Sequence, residues 1–181
     1  ATDVGNLVGA KSATSGHHSK TYGYACGGAN GAASSPDINK WTFATDGNAT
    51  DVGDLTVSRG GSAGVTSENY GYSCTGGIQT APTLYTSIDK VSFASDGNAT
   101  AITGVVTVAR QFPGGTSSTT YGYIHAGHGP PEYNIIDKFQ FSTEGNATDV
   151  GDMVRGGDTG TGGASSSTHG YIVGGNGTYS I

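Results

Sequence analysis

One segment of this sequence is written several times, and that repetition limits the fold more than any other feature. Residues 38–55 read Ile-Asn-Lys-Trp-Thr-Phe-Ala-Thr-Asp-Gly-Asn-Ala-Thr-Asp-Val-Gly-Asp-Leu, and closely matching stretches follow at 88–104 and 136–153. The opening residues 1–7 match 49–55 at every position but one, where Asn6 stands in place of Asp54. A second signature, Tyr-Gly-Tyr or His-Gly-Tyr, ends at Tyr24, Tyr72, Tyr123 and Tyr171, which makes the repeat 48, 51 and 48 residues long. A period near 50 belongs to arrays in which each unit is one small sheet that cannot bury both faces without its neighbours.

Composition restricts those units to β-structure. Glycine takes 33 of 181 positions and charged residues only 12%, against about 7% and ~25% in an average domain. Helices carrying so much glycine would lose roughly 1 kcal/mol per glycine relative to alanine. There is no Gly-X-Y period, proline is limited to 5 residues, and 10 Tyr and 5 Phe accompany Trp41, so collagen and featureless disorder fit poorly. Alternation places the strands: in Ile136-Asp137-Lys138-Phe139-Gln140-Phe141 the side chains of Asp137, Phe139 and Phe141 share one face. Asp46-Gly47-Asn48, Asp96-Gly97-Asn98 and Glu144-Gly145-Asn146 then supply turn residues that tolerate positive φ. Each unit is expected to hold four strands, as at 63–67, 70–74, 88–93 and 99–108, with a variable loop such as 127–134 between the second and third. The small Gly/Ala/Ser/Thr residues of the first strand suit a crowded centre.

An arginine (Arg59, Arg110, Arg155), a Ser/Thr-rich strand, Gly-Tyr running into Gly-Gly, a variable loop and a hairpin ending near Asp-Leu together resemble the kelch repeat. The Ile-Asp-Lys-Phe…Asp-Gly-Asn-Ala-Thr-Asp-Val-Gly-Asp-Leu form is similar to near-identical repeats in proteins of marine bacterial viruses and marine microbes. The resemblance spans essentially the whole chain, although the tryptophan that follows the hairpin in kelch has no counterpart. It implies an all-β, kelch-like β-propeller of about four blades of ~48–51 residues, one domain over 1–181. The units fall at approximately 8–55, 56–106, 107–153 and 154–181 plus 1–7, so the last blade is shared between the N- and C-termini. The counterparts of Ile136 through Asn146, eleven residues, are missing from that last unit. Three readings stay open: a ring with one three-stranded blade, a ring completed by a strand from a neighbouring subunit, and a section of a longer array.

The functional candidates follow from the repeats. A net charge of −6 with no basic run gives no footprint for nucleic acid. No apolar run approaches the ~20 residues that cross a bilayer, so a soluble chain without membrane insertion is expected. No Gly-x-Ser-x-Gly elbow, His-Glu-x-x-His or phosphate loop is present. Copies present the same surface repeatedly, whereas an active site needs unique residues, so neither catalysis nor a cofactor is expected.

Cys26, Cys74 and His125 occupy equivalent places, with Val173 in the fourth unit; they are candidate metal ligands or, more simply, packing residues. Asp46, Asn48, Asp51 and Asp54, repeated as Glu144, Asn146, Asp149 and Asp152, have calcium-like oxygen spacing, for which turn capping is the better account. Asn48, Asn98, Asn146 and Asn176 begin glycosylation sequons. His17, His18, His128 and His169 are expected at exposed loops or strand ends. Tyr22, Tyr70, Tyr121 and His169, with the loop residues Tyr85, Tyr133 and Tyr179, could bind sugar rings by stacking, several weak sites adding avidity; the alternative is packing between units.

The expectation is a non-catalytic binding or assembly module of a viral particle or cell surface, contacting glycan, protein, other virion subunits or copies of itself. The alternatives are a purely structural block completed by a neighbouring chain's strand, and a metal-dependent kelch oxidase.

Overall fold

A computed structural model of the chain describes residues 2–78, 83–129, 133–154, 159–166 and 168–176. Among them there is no helix, and the strands form small antiparallel sheets. The first unit holds β1 (Ser15–His18), β2 (Tyr22–Cys26), β5 (Asp37–Thr42) and β6 (Thr50–Asp54), paired in the order β1-β2-β5-β6. A short hairpin, β3 (Ala29–Asn30) and β4 (Ala33–Ser34), stands in its loop. The second unit pairs β7 (Ala63–Thr66), β8 (Tyr70–Cys74), β9 (Ser87–Ser92) and β10 (Thr100–Val105) in the same way. The third does so with β11 (Gly114–Ser117), β12 (Tyr121–His125), β13 (Ile135–Gln140) and β14 (Thr148–Asp152). The fourth has two strands, β15 (Thr159–Ser165) and β16 (Gly170–Asn176). The strands read from alternation stand within a few residues of these ranges.

Register repeats with the sequence: Tyr24 lies opposite Lys40, Tyr72 opposite Lys90 and Tyr123 opposite Lys138. Serine fixes the hairpin before each signature. The backbone N–H of Tyr22, Tyr70, Tyr121 and His169 donates to the hydroxyl of Ser19, Ser67, Ser118 and Ser166 at 2.9, 3.2, 3.0 and 3.0 Å, a local bond that closes the turn without distant contacts.

The sheets stack through their first strands, β1 on β7, β7 on β11 and β11 on β15. Glycine is obligatory at this contact. A Cβ added at Gly64, Gly115 or Gly163 would collide with the carbonyl oxygen of Gly16, Gly64 or Gly115 respectively. At Gly16 it would meet nothing within 4 Å. Gly16, Gly64, Gly115 and Gly163 together wall one cavity of about 480 Å³, so all four first strands border a common space.

Aromatic rings fill the layers between sheets. Phe93 stacks on Tyr24 at 5.0 Å, and Phe141 stacks on Tyr72 at 5.1 Å with Phe139 edge-on at 5.4 Å. Tyr24 and Tyr72 are 2% and 1% exposed. Burial of each such side chain contributes about 1.5–3 kcal/mol, and each ring pair about 0.5–1.5 more.

Residues 2–7 form no ladder with β16. They lie along the turn of the first unit, where Gly47 N–H donates to Val4 O at 2.8 Å, Ala49 N–H to Asn6 O at 2.9 Å, and Asn6 N–H to Asn48 Oδ1 at 3.0 Å.

Candidate functional site

The side chains singled out by the repeats gather at the junctions between sheets. Lys40, Lys90 and Lys138 lie diagonally across the strand pair from Tyr22, Tyr70 and Tyr121, and each ammonium sits over its ring at 4.6, 4.8 and 4.9 Å, a cation–π contact. Lys40 also reaches Asp96 at 2.5 Å and Lys90 reaches Glu144 at 2.7 Å, both in the turn of the following unit. One face of Tyr22, Tyr70 and Tyr121 is therefore covered by a lysine, and Lys40 and Lys90 also tie their unit to the next. His169 stands in this position without a lysine, near Tyr171 and with Nδ1 2.8 Å from Thr168 Oγ1. Tyr85 and Tyr133 are half-buried in their loops, with Tyr133 lying against Gly129. Tyr179, the Asn176 side chain and Arg155 lie outside the described residues.

Cys26, Cys74 and His125 are all buried. Among the described residues no group of three or more His, Cys, Asp or Glu side chains is placed to hold a metal ion. Burial pushes both thiols up to about 12. His17 corrects an expectation of exposure: it is 4% exposed, and its Nε2 meets Ser73 Oγ at 3.0 Å, while Ser73 also meets Ser15 Oγ at 2.7 Å. Burial lowers its pKa to about 4. His17 is buried because β1 packs between its own sheet and the second, a long-range fact that its polar neighbours in sequence conceal. His18, His128 and His169 are exposed, as read from the sequence.

Arg59 and Arg110 are buried structural groups. Each pairs with the aspartate of its third strand, Asp89 at 2.7 Å and Asp137 at 2.9 Å. Thr56 and Thr107, on the linkers between units, donate through Oγ1 to the same carboxylates at 2.7 Å. Of the acids with calcium-like spacing, Asp51 and Asp149, in β6 and β14, accept from the backbone N–H of Gly53 and Gly151 at 3.2 and 3.0 Å. The sequon asparagines clasp the preceding unit: Asp54 N–H donates to Asn98 Oδ1 at 3.0 Å and Val105 N–H to Asn146 Oδ1 at 3.2 Å.

A cavity of about 370 Å³ opens between the third and fourth sheets. Tyr123, His125, Ile136, Val150, His169 and Ile172 are among its walls. His125 is 1% exposed and among the described residues neither ring nitrogen has a hydrogen-bond partner; burial, reinforced by the Arg110 charge, lowers its pKa to about 4. The sequence places His125 in register with Cys26 and Cys74 but does not show this space. Compared with known proteins, the chain matches no family model and no curated sequence.

Proposed function

We propose that the chain is a non-catalytic binding and assembly module, a kelch-like β-propeller of about four blades that offers the same contact surface once per unit. The observation that carries this reading is the same use of the two junctions that join the first three units. An aromatic strand, an acidic turn and an asparagine from one unit seat on the tyrosine, lysine and fourth strand of the unit before it. The common space bordered by β1, β7, β11 and β15 supports a ring arrangement. Buried Arg, Asp, Cys and His side chains serve packing and pairing, which favours binding over chemistry. The repeat resemblance supports a viral particle or cell surface as its setting, with glycan or protein, including other virion subunits, as the partner.

The purified chain applied to a glycan array, alongside Tyr85→Ala and Tyr133→Ala variants, tests the glycan arm. Saturable binding lost in either variant supports it. The protein arm is tested by mass in solution with and without repeat-derived peptides. A chain that binds neither glycan nor peptide and stays monomeric at all concentrations overturns the proposal.

A further inference from the structure

The two junctions that join the first three units share a frame and differ at one spot. In each, the first strand of one unit turns two side chains onto the second strand of the next. Between the second and third units these are Ala63 and Val65, which join Ile124 in one apolar cluster. Between the first and second units the same register places Ser15, His17 and Ser73, all buried. The His17 ring lies over Gly71, where an added Cβ would meet it at 2.6 Å, as Val65 lies over Gly122 at 2.7 Å. Three apolar positions of one junction are therefore polar in the other.

The polar trio forms a directed chain. Ser15 Oγ donates to Cys26 O at 3.2 Å, Ser73 Oγ lies 2.7 Å from Ser15 Oγ, and His17 Nε2 lies 3.0 Å from Ser73 Oγ. Each hydroxyl has one hydrogen. That of Ser15 goes to the carbonyl, so Ser73 donates to Ser15 and His17 donates to Ser73 through Nε2–H. The neutral ring then keeps Nδ1 bare, and this atom has no hydrogen-bond partner among the described residues. The ionisable groups beside it are Tyr24 and Cys26 on β2 and His18 on β1, while β7 and the face of β8 that meets it, Gly71 and Ser73, carry none. No carboxylate stands among them to balance an imidazolium. Burial disfavours the charged ring most, the Val65 backbone opposes that effect, and His18 adds to it.

We propose that this junction is an acid-operated hinge: proton uptake at His17 Nδ1 parts the first sheet from the second and leaves the second packed on the third. The hinge goes beyond the binding reading and does not depend on it. A fully bonded polar chain holds two sheets together, whereas a buried cation without an acceptor costs free energy that hydration in the parted state returns. The Ala63, Val65 and Ile124 contact has no group that responds to acid.

The two cysteines report the two junctions separately. Cys26 clusters with Val91 and Ala99 of the second unit, and Cys74 with Ile124 and Phe139 of the third. The intact chain is labelled with a pyridyl disulfide at pH 7 and pH 5, and the cysteines are resolved by peptide mass. The ratio of their rates compares the two openings and cancels the response of reagent and thiol to pH. With His17 titrating at about 4 when enclosed and 6.5 when released, the Cys26 to Cys74 ratio is expected to rise about twentyfold from pH 7 to pH 5. His17→Gln keeps a donor for Ser73 without a titrating ring, and Ser15→Ala/His17→Val/Ser73→Ile writes the second junction into the first; in both, the ratio is expected to change by less than about twofold. A wild-type ratio that ignores pH, or a rise that survives His17→Gln, overturns the hinge. Both cysteines quickening together at a constant ratio also overturns it, because that marks unfolding of the whole chain.

Discussion

Arg59 Nη2 lies 2.7 Å from Asp89 Oδ2, and neither side chain has any solvent exposure. In the first unit Lys11 and Asn39 hold the equivalent positions, and the charge pair reappears two residues earlier on the strand as Lys11–Asp37 at 2.6 Å. Asp89→Asn alone would leave a buried guanidinium without its anion, at an expected cost of about 3–5 kcal/mol in a urea melt. Adding Arg59→Lys and Ser87→Asp rewrites the second unit as the first, and most of the loss is expected to return. A single-variant loss below about 1 kcal/mol, the level of an exposed pair, would show that water reaches this one.

Gly64→Ala and Gly16→Ala separate a closed contact from an open one. The first forces a methyl into the Gly16 carbonyl oxygen and is expected to cost about 3 kcal/mol or more. The second meets open space and is expected to be neutral or to stabilise by up to about 1 kcal/mol, since alanine restricts the unfolded chain. Equal losses in thermal unfolding would mean that the fourth unit closes onto the first in solution.

Acid is expected to destabilise the fold through its buried histidines. His17 and His125 have folded pKa values lowered to about 4 from 6.5, so the unfolded state binds more protons between those limits and stability rises with pH across that window. At pH 7 the term is fully present; as pH falls below 6.5 it is lost, by roughly 3 kcal/mol per histidine at pH 4. His17→Gln and His125→Gln together should flatten a plot of unfolding free energy against pH from 4 to 6.5. An unchanged slope would refute the assignment.

Both thiols should be silent until the protein opens. Cys26 and Cys74 are 1% and 0% exposed, with pKa values pushed up to about 12 by burial, and it is the thiolate that reacts. A thiol reagent at pH 8 is expected to label neither cysteine in the native chain and both in 6 M guanidinium. Fast native labelling of Cys26 would show that the junction between the first two sheets breathes.

Much of this molecule is legible residue by residue. The repeat length, the four-strand units, the buried Asp137–Phe139 face and the asparagine turns all follow from patterns within about 20 residues, because period-two alternation and turn chemistry act locally. The serines at 19, 67, 118 and 166 are equally regular, though nothing in their spacing shows that they close the hairpins. Other features depend on which sheet stands beside which. His17 reads as a surface histidine until β7 and β8 cover it, and Lys40 as a solvated charge until Asp96 arrives from the next turn. Tyr123 matches Tyr24 in sequence and differs in burial because Phe93 stacks on Tyr24, whereas among the described residues no phenylalanine stacks on Tyr123. Local pattern fixes the unit and its faces; burial and ion pairing come from long-range stacking, where identical residues take different environments according to their neighbour.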